Sequence, residues 1–300
     1  MVSKKHDVNL KNTLSVQETL ELISKDVVTV CDDTYQRFKE SDAVPPYYDE
    51  EKFKKGQQFY HKHVHSMFYG KLLGLLTVLS TPTLSQILVF TNMSNNSFTA
   101  YKRYLATVFH MCVWYEGNFK PGSILWQSVS TVKSLHNSAS KRFCTAKGYR
   151  ILQRDMGITQ FGFMGYAIIR PEQIGIHYAT REELESFIHL WRVIGYIIGM
   201  DDKYNICRDT LEETKEVCEG LINNIFIQNI RNPSSDYLML IEALTSGMWT
   251  MQPFLNYNVF RRQLHSLLCT NNNNNIGLPS DNLYHVGIND DLVQLQLAHK

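Results

Sequence analysis

Thr131-Val132-Lys133-Ser134-Leu135-His136-Asn137-Ser138-Ala139-Ser140-Lys141-Arg142 sets a histidine inside an apolar period. Wound as an α-helix, Leu125, Val129, Val132, His136, Ala139 and Phe143 fall at steps of three and four and share one face. Lys133, Asn137, Ser140 and Lys141 point mostly elsewhere. An imidazole buried on such a stripe needs a partner for at least one ring nitrogen, because an unpaired buried polar group is costly. A metal is one such partner and a backbone carbonyl is another.

The same helical period runs outward in both directions. Val16 to Phe38 carries it through Leu20, Ile23, Val27 and Val30, with a β-branched run near its end. Ser41 to Asp49, with Pro45-Pro46, reads as a linker, and Asp49-Glu50-Glu51 opens a helix through the 60s. Leu72 to Phe90 holds no charged residue and is close to the length of a membrane span. Polar residues cluster in its middle, and Thr81-Pro82 marks a break, so two buried helices meeting at a corner are expected. Ser97 to Trp114 is a further helix, with Arg103, Thr107, His110 and Trp114 along one face. An arginine there must meet an anion when buried, from the protein or from a ligand.

After a turn over Gly117 to Ser123, the His136 helix runs to about Gly148. Gly157, Gly162 and Gly165 then allow close approach of helices or of a planar ligand. Thr180 and Glu183 form a capping box ahead of an apolar helix ending at Gly199. Helices over Leu211–Gln228 and Asp236–Trp249 follow, then an Asn-rich linker at Asn271 to Asn275 and a weakly patterned tail. Helical periods dominate, so the class is all-α. The chain divides into a lead and helix over 1–49, a core domain over 50–250 and a C-terminal extension over 251–300.

Composition narrows the function. Forty-four per cent hydrophobic residues within 300 suffice for a large core. Thirty basic against 29 acidic residues leave a charge of +1, with no basic field for nucleic acid. No cysteine lies in a C-x-x-C pair, and the polar start has no apolar signal region. Both point to reduced thiols and an intracellular protein, cytoplasmic or associated with an endoplasmic-reticulum membrane surface. The sequons at Asn92 and Asn95 read as chance matches. His61 and His65, four apart, suggest a metal pair, but two histidines do not complete a site.

Four stretches in order carry a family resemblance: Arg103-Tyr104-Leu105-Ala106-Thr107; Lys133-Ser134-Leu135-His136; Asp155 to Phe163; and Phe187 to Gly199. Together they resemble a haem-dependent oxygenase family. It includes the latex-clearing rubber oxygenases and the fungal endoplasmic-reticulum oxygenase of the mycophenolic-acid pathway. The resemblance implies a globin-like helical core around haem b and an oxygenase that uses dioxygen on a hydrophobic, unsaturated substrate. By position, His136 looks like the proximal iron ligand, and Arg103 and Thr107 look like haem-pocket and catalytic residues. Lys133 stands where latex-clearing members have arginine and is expected among the cofactor-binding residues. Ala106 replaces a lysine that caps the distal iron face in some of them, and Ser140 and Lys141 replace basic residues after the histidine. Phe161, Phe163, Trp191 and Tyr196 are expected near the cavity. A haem sensor or carrier without turnover, or a haem-free helical interaction protein, would share the same pattern.

Overall fold

A computed structural model describes residues 14–32, 44–249 and 257–268. The Asn-rich linker and the C-terminal tail lie outside them. Among the described residues the secondary structure is helical, apart from one isolated bridge between Val30 and Leu152.

The caps fall where the sequence places them. The helix α1, Val16–Lys25, starts on a Ser15–Glu18 capping box. It stops earlier than expected from the apolar period. The Asp26 carboxylate accepts the N–H groups of Val28 and Thr29, at 2.9 and 3.1 Å, and turns the chain out of the helix. Val27 to Val30 then lies outside the helix, and Val30 forms the isolated bridge to Leu152.

The helix α2, Glu50–Lys62, begins on Asp49. It breaks at His63, and α3, Val64–Val78, follows. This break puts His61 and His65 on different helices and removes the shared face expected for them. No group of metal-binding side chains is present among the described residues. The helix α4, Pro82–Thr91, leaves α3 at 99°. The Leu72–Phe90 stretch is therefore the expected corner, and no single helix among the described residues is long and apolar enough to cross a membrane.

The remaining long helices are α5 (Ser97–Glu116), α6 (Ile124–Lys147), α7 (Gln153–Ile169) and α8 (Arg181–Ile198). Asn96 caps α5, and Asn92 ends α4 in the left-handed conformation, so two asparagines of the sequon region serve as helix caps. Leu211–Leu221 (α9) passes through a π turn into Ile227–Arg231 (α10). Ser235–Met248 (α11) and Tyr257–Leu268 (α12) complete the set.

Packing pairs α2 with α8, α3 with α7 and α5 with α11, while α6 leans on α5, α8 and α4. Each of these three pairs meets at a glycine, Gly247 of α11 lying against the Ser97 carbonyl of α5. A Cβ on Gly74 would strike the Gly162 carbonyl across the α3–α7 contact, and one on Gly56 would strike the Ser186 carbonyl across α2–α8. The first and last described helices dock on the others, α1 against α7 and α9, and α12 against α3.

Candidate functional site

Between α3, α4, α5, α6, α7 and α8 the packing leaves a cavity of about 800 Å³ with mainly apolar walls. The stripe on α6 faces it as read: Val132, His136, Ala139 and Phe143 line it, while Leu125 and Val129 sit in the core below. Ser123 caps the start of α6, and Gly148 ends it at φ +78°, which fixes the phase of the stripe.

His136 is half-buried and lines the cavity. Its Nδ1 is buried without a hydrogen-bond partner. Burial first, and the Arg103 charge second, hold its pKa down to about 4. The imidazole is therefore neutral at physiological pH and has a lone pair to give.

Arg103 lines the same cavity from α5. Its Nη1 donates to Thr91 Oγ1 at 3.3 Å, and no carboxylate among the described residues pairs with it. Burial lowers its pKa, though a guanidinium stays charged. An acid-free, cavity-facing guanidinium is a place for an anionic group of a ligand. Thr107, one turn on, also lines the cavity, with its hydroxyl donating to the Arg103 carbonyl at 3.1 Å.

Lys133 is not on the cavity wall. It lies half-buried on α6 with Cys31 near it, and burial lowers its pKa to about 8. Ala106 is exposed and also off the wall, so its position on α5 faces away from the space around His136. Of the four aromatics expected near the cavity, Phe163 and Trp191 line it. Phe161 is core, packed on Phe226, and Tyr196 packs edge-on against Tyr47.

Two further groups reach the cavity. His110 has Nδ1 at 2.7 Å from Ser128 Oγ, which also accepts the Trp114 indole N–H at 2.9 Å. Lys71 of α3 is buried on the wall, with no acidic partner among the described residues. Its Nζ donates to Tyr115 Oη at 2.8 Å and lies 4.4 and 4.2 Å from the Tyr60 and Tyr115 ring centres. Lys71 stands one residue before the uncharged Leu72–Phe90 run, which hides it from a search for charged motifs. The signal was there: between Lys62 and Lys102 it is the only charged residue.

The helix order and packing match a known architecture. The chain has the fold of a latex clearing protein. The match is to the structure of Latex Clearing Protein LCP in the closed state, with a TM-score of 0.59 and 16% identity. It covers 85% of this chain and 70% of that one. At that identity the likeness is one of fold, and the chemistry must come from the side chains around the cavity. No protein-family model matches the chain, and no curated protein matches its sequence.

Proposed function

We propose that the chain is a haem b-dependent oxygenase that uses dioxygen on a hydrophobic, unsaturated substrate of isoprenoid or lipid-like kind. One observation carries this reading: a neutral imidazole without a partner, His136, on the wall of a large apolar cavity beside the acid-free Arg103. The donor set suits haem b. His136 supplies a nitrogen ligand for iron, Arg103 supplies a cation for a propionate, and the walls supply apolar contact for the macrocycle. When bound, haem brings the dioxygen chemistry. The protein's own part is to hold it, exclude water and align an apolar chain along Phe163 and Trp191. Such substrates partition into membranes, so an intracellular setting at a membrane surface goes with this reading.

His110 supports a second reading. Its Nδ1 is already engaged by Ser128, an arrangement that orients the other ring nitrogen of a metal-binding histidine. Haem held by two imidazoles would have no open position, and the protein would then be a haem carrier or sensor.

Absorption spectra of the protein and of His136→Ala, each made with added haem, test both readings. The oxygenase reading expects an intense Soret band of a high-spin, single-imidazole type that is lost or shifted in the variant. It also expects oxygen uptake when an unsaturated polyisoprenoid is supplied. A low-spin, two-imidazole spectrum without oxygen uptake would favour the carrier. A protein that stays colourless with added haem would overturn both.

A further inference from the structure

The wall contributed by α3 carries a reactive group that haem ligation by His136 does not use. Lys71 is the only charged residue between Lys62 and Lys102, and it is buried. No carboxylate among the described residues pairs with it. Two opposed effects act on its charge. The rings of Tyr60, Tyr115 and Trp191 favour an ammonium ion only weakly, because Nζ, 4.4 and 4.2 Å from the centres of two parallel tyrosine rings 3.6 Å apart, lies beside that stack rather than over a face. Removing that ion from water without a counter-ion costs several kcal/mol, on the order of what an unpaired buried charge shows. Desolvation wins, and the pKa of Lys71 falls well below the ordinary lysine value. Burial pushes the Tyr115 phenol in the opposite direction, so it does not act as the missing anion.

The hydrogen bonds leave the amine free to react. Tyr115 Oη accepts from Lys71 Nζ at 2.8 Å and from Trp191 Nε1 at 3.1 Å. Nζ has no other hydrogen-bond partner among the described residues, so an entering carbonyl competes only with the Tyr115 phenol for the amine. The side chain borders the apolar cavity beside Phe68, Leu72, Leu75, Phe163 and Trp191. His136 lies on another wall, because α6 packs on α5, α8 and α4 while α3 packs chiefly on α7.

We propose that Lys71 is a carbonyl-capturing amine, which binds apolar aldehydes entering the cavity as a Schiff base. Nζ adds to the carbonyl carbon, and the carbon–oxygen double bond opens to a carbinolamine. The carbonyl oxygen then leaves as water with the two protons of the amine, forming a carbon–nitrogen double bond. No oxidant or reductant is needed. A desolvated lysine in an apolar pocket is suited to this step, because its lone pair is not blocked by a proton. The apolar lining selects aldehydes with a hydrocarbon chain. This proposal uses the cavity but not the iron, so it stands or falls separately from the oxygenase reading.

The test uses the full chain with less than one equivalent of decanal and sodium cyanoborohydride, which reduces the imine to a stable secondary amine. Proteolysis and mass spectrometry then locate the label. The expected product carries the mass of decanal less one oxygen atom on the peptide containing Lys71, well above the yield on exposed lysines such as Lys54, Lys62 and Lys147. Labelling at Lys71 should rise less steeply with pH than labelling of ordinary surface lysines, which rises about tenfold per pH unit below their pKa. Excess decanol, of the same length but without a carbonyl, should suppress labelling at Lys71 alone. Lys71→Met should lose that label and keep the helical circular dichroism spectrum. Label spread over exposed lysines with Lys71 unmodified would overturn the proposal. So would labelling at Lys71 that follows the surface pH profile or ignores decanol. The map on the unaltered protein decides the matter even where the variant does not fold.

Discussion

The charge of Arg103 bears on His136. The guanidinium raises the cost of protonating the imidazole, on top of burial. Arg103→Met should therefore raise the His136 pKa above about 4, read by NMR titration of the haem-free protein. The same change removes the cation assigned to a propionate. A charge-assisted hydrogen bond contributes roughly 1.5–3 kcal/mol, so haem affinity should fall about ten- to a hundredfold. An unchanged affinity would remove Arg103 from the cofactor's contacts. Thr107 makes only a backbone bond to its own helix, and Thr107→Val should leave haem binding within about threefold, since exposing or losing one such hydroxyl costs little. Lys133 lies off the cavity wall, and Lys133→Met should leave the absorption spectrum of the loaded protein unchanged.

Helix starts and helix contacts carry their own tests. The N–H of Asp49, which caps α2, donates to His189 Nε2 of α8 at 3.1 Å. That nitrogen must stay unprotonated to accept. Burial leads the causes that bring the His189 pKa down to about 4, against an ordinary value of 6.5. A histidine with a lowered folded pKa contributes stability that is complete above the unfolded value and is lost as pH falls through the folded one. The protein should lose stability as pH falls from 6.5 to about 4, and His189→Gln should flatten that fall in urea titrations. A pH dependence unaltered by the substitution would assign the loss to other groups. At the α3–α7 contact, Gly74→Ala forces a Cβ against the Gly162 carbonyl. Overpacking of this kind costs about 1–3 kcal/mol, which a shift in the urea midpoint would report.

The molecule as a whole is built around a space rather than a solid centre. A cavity of about 800 Å³ is far beyond the voids of an ordinary core, which hold at most a few waters. Its walls give up contacts that a ligand would restore. Any occupant that binds only the folded chain should raise the unfolding temperature, by about 2.7 kcal/mol of stability at a hundredfold excess over its Kd. Haem should do so in the parent and much less in His136→Ala. Apolar carbonyl compounds should do so in both, and lose the effect in Lys71→Met. Ligands that shift neither protein would leave the cavity without the proposed occupants.

Much of the fold was open to reading from the chain alone. Apolar steps of three and four, Ser, Thr, Asp and Asn caps, and the Thr81-Pro82 break are local signals, and each reports a helix or its end within a few residues. The stripe through His136 was legible for the same reason, because six positions of one helix share a face whatever they pack against. Local signals did not show where α1 ends, because the Asp26 side chain competes for backbone N–H groups within its own turn. They did not separate Phe163 from Phe161 or Lys133 from Lys71. Which side of a wholly apolar helix meets the core and which meets the cavity is set by its neighbours. The sequence by itself determined an all-α chain with a histidine buried on the sixth helix. Only the tertiary structure decided that Arg103, His136 and Lys71 share one cavity, because three separate helices, α5, α6 and α3, must first pack before their side chains enclose the same space.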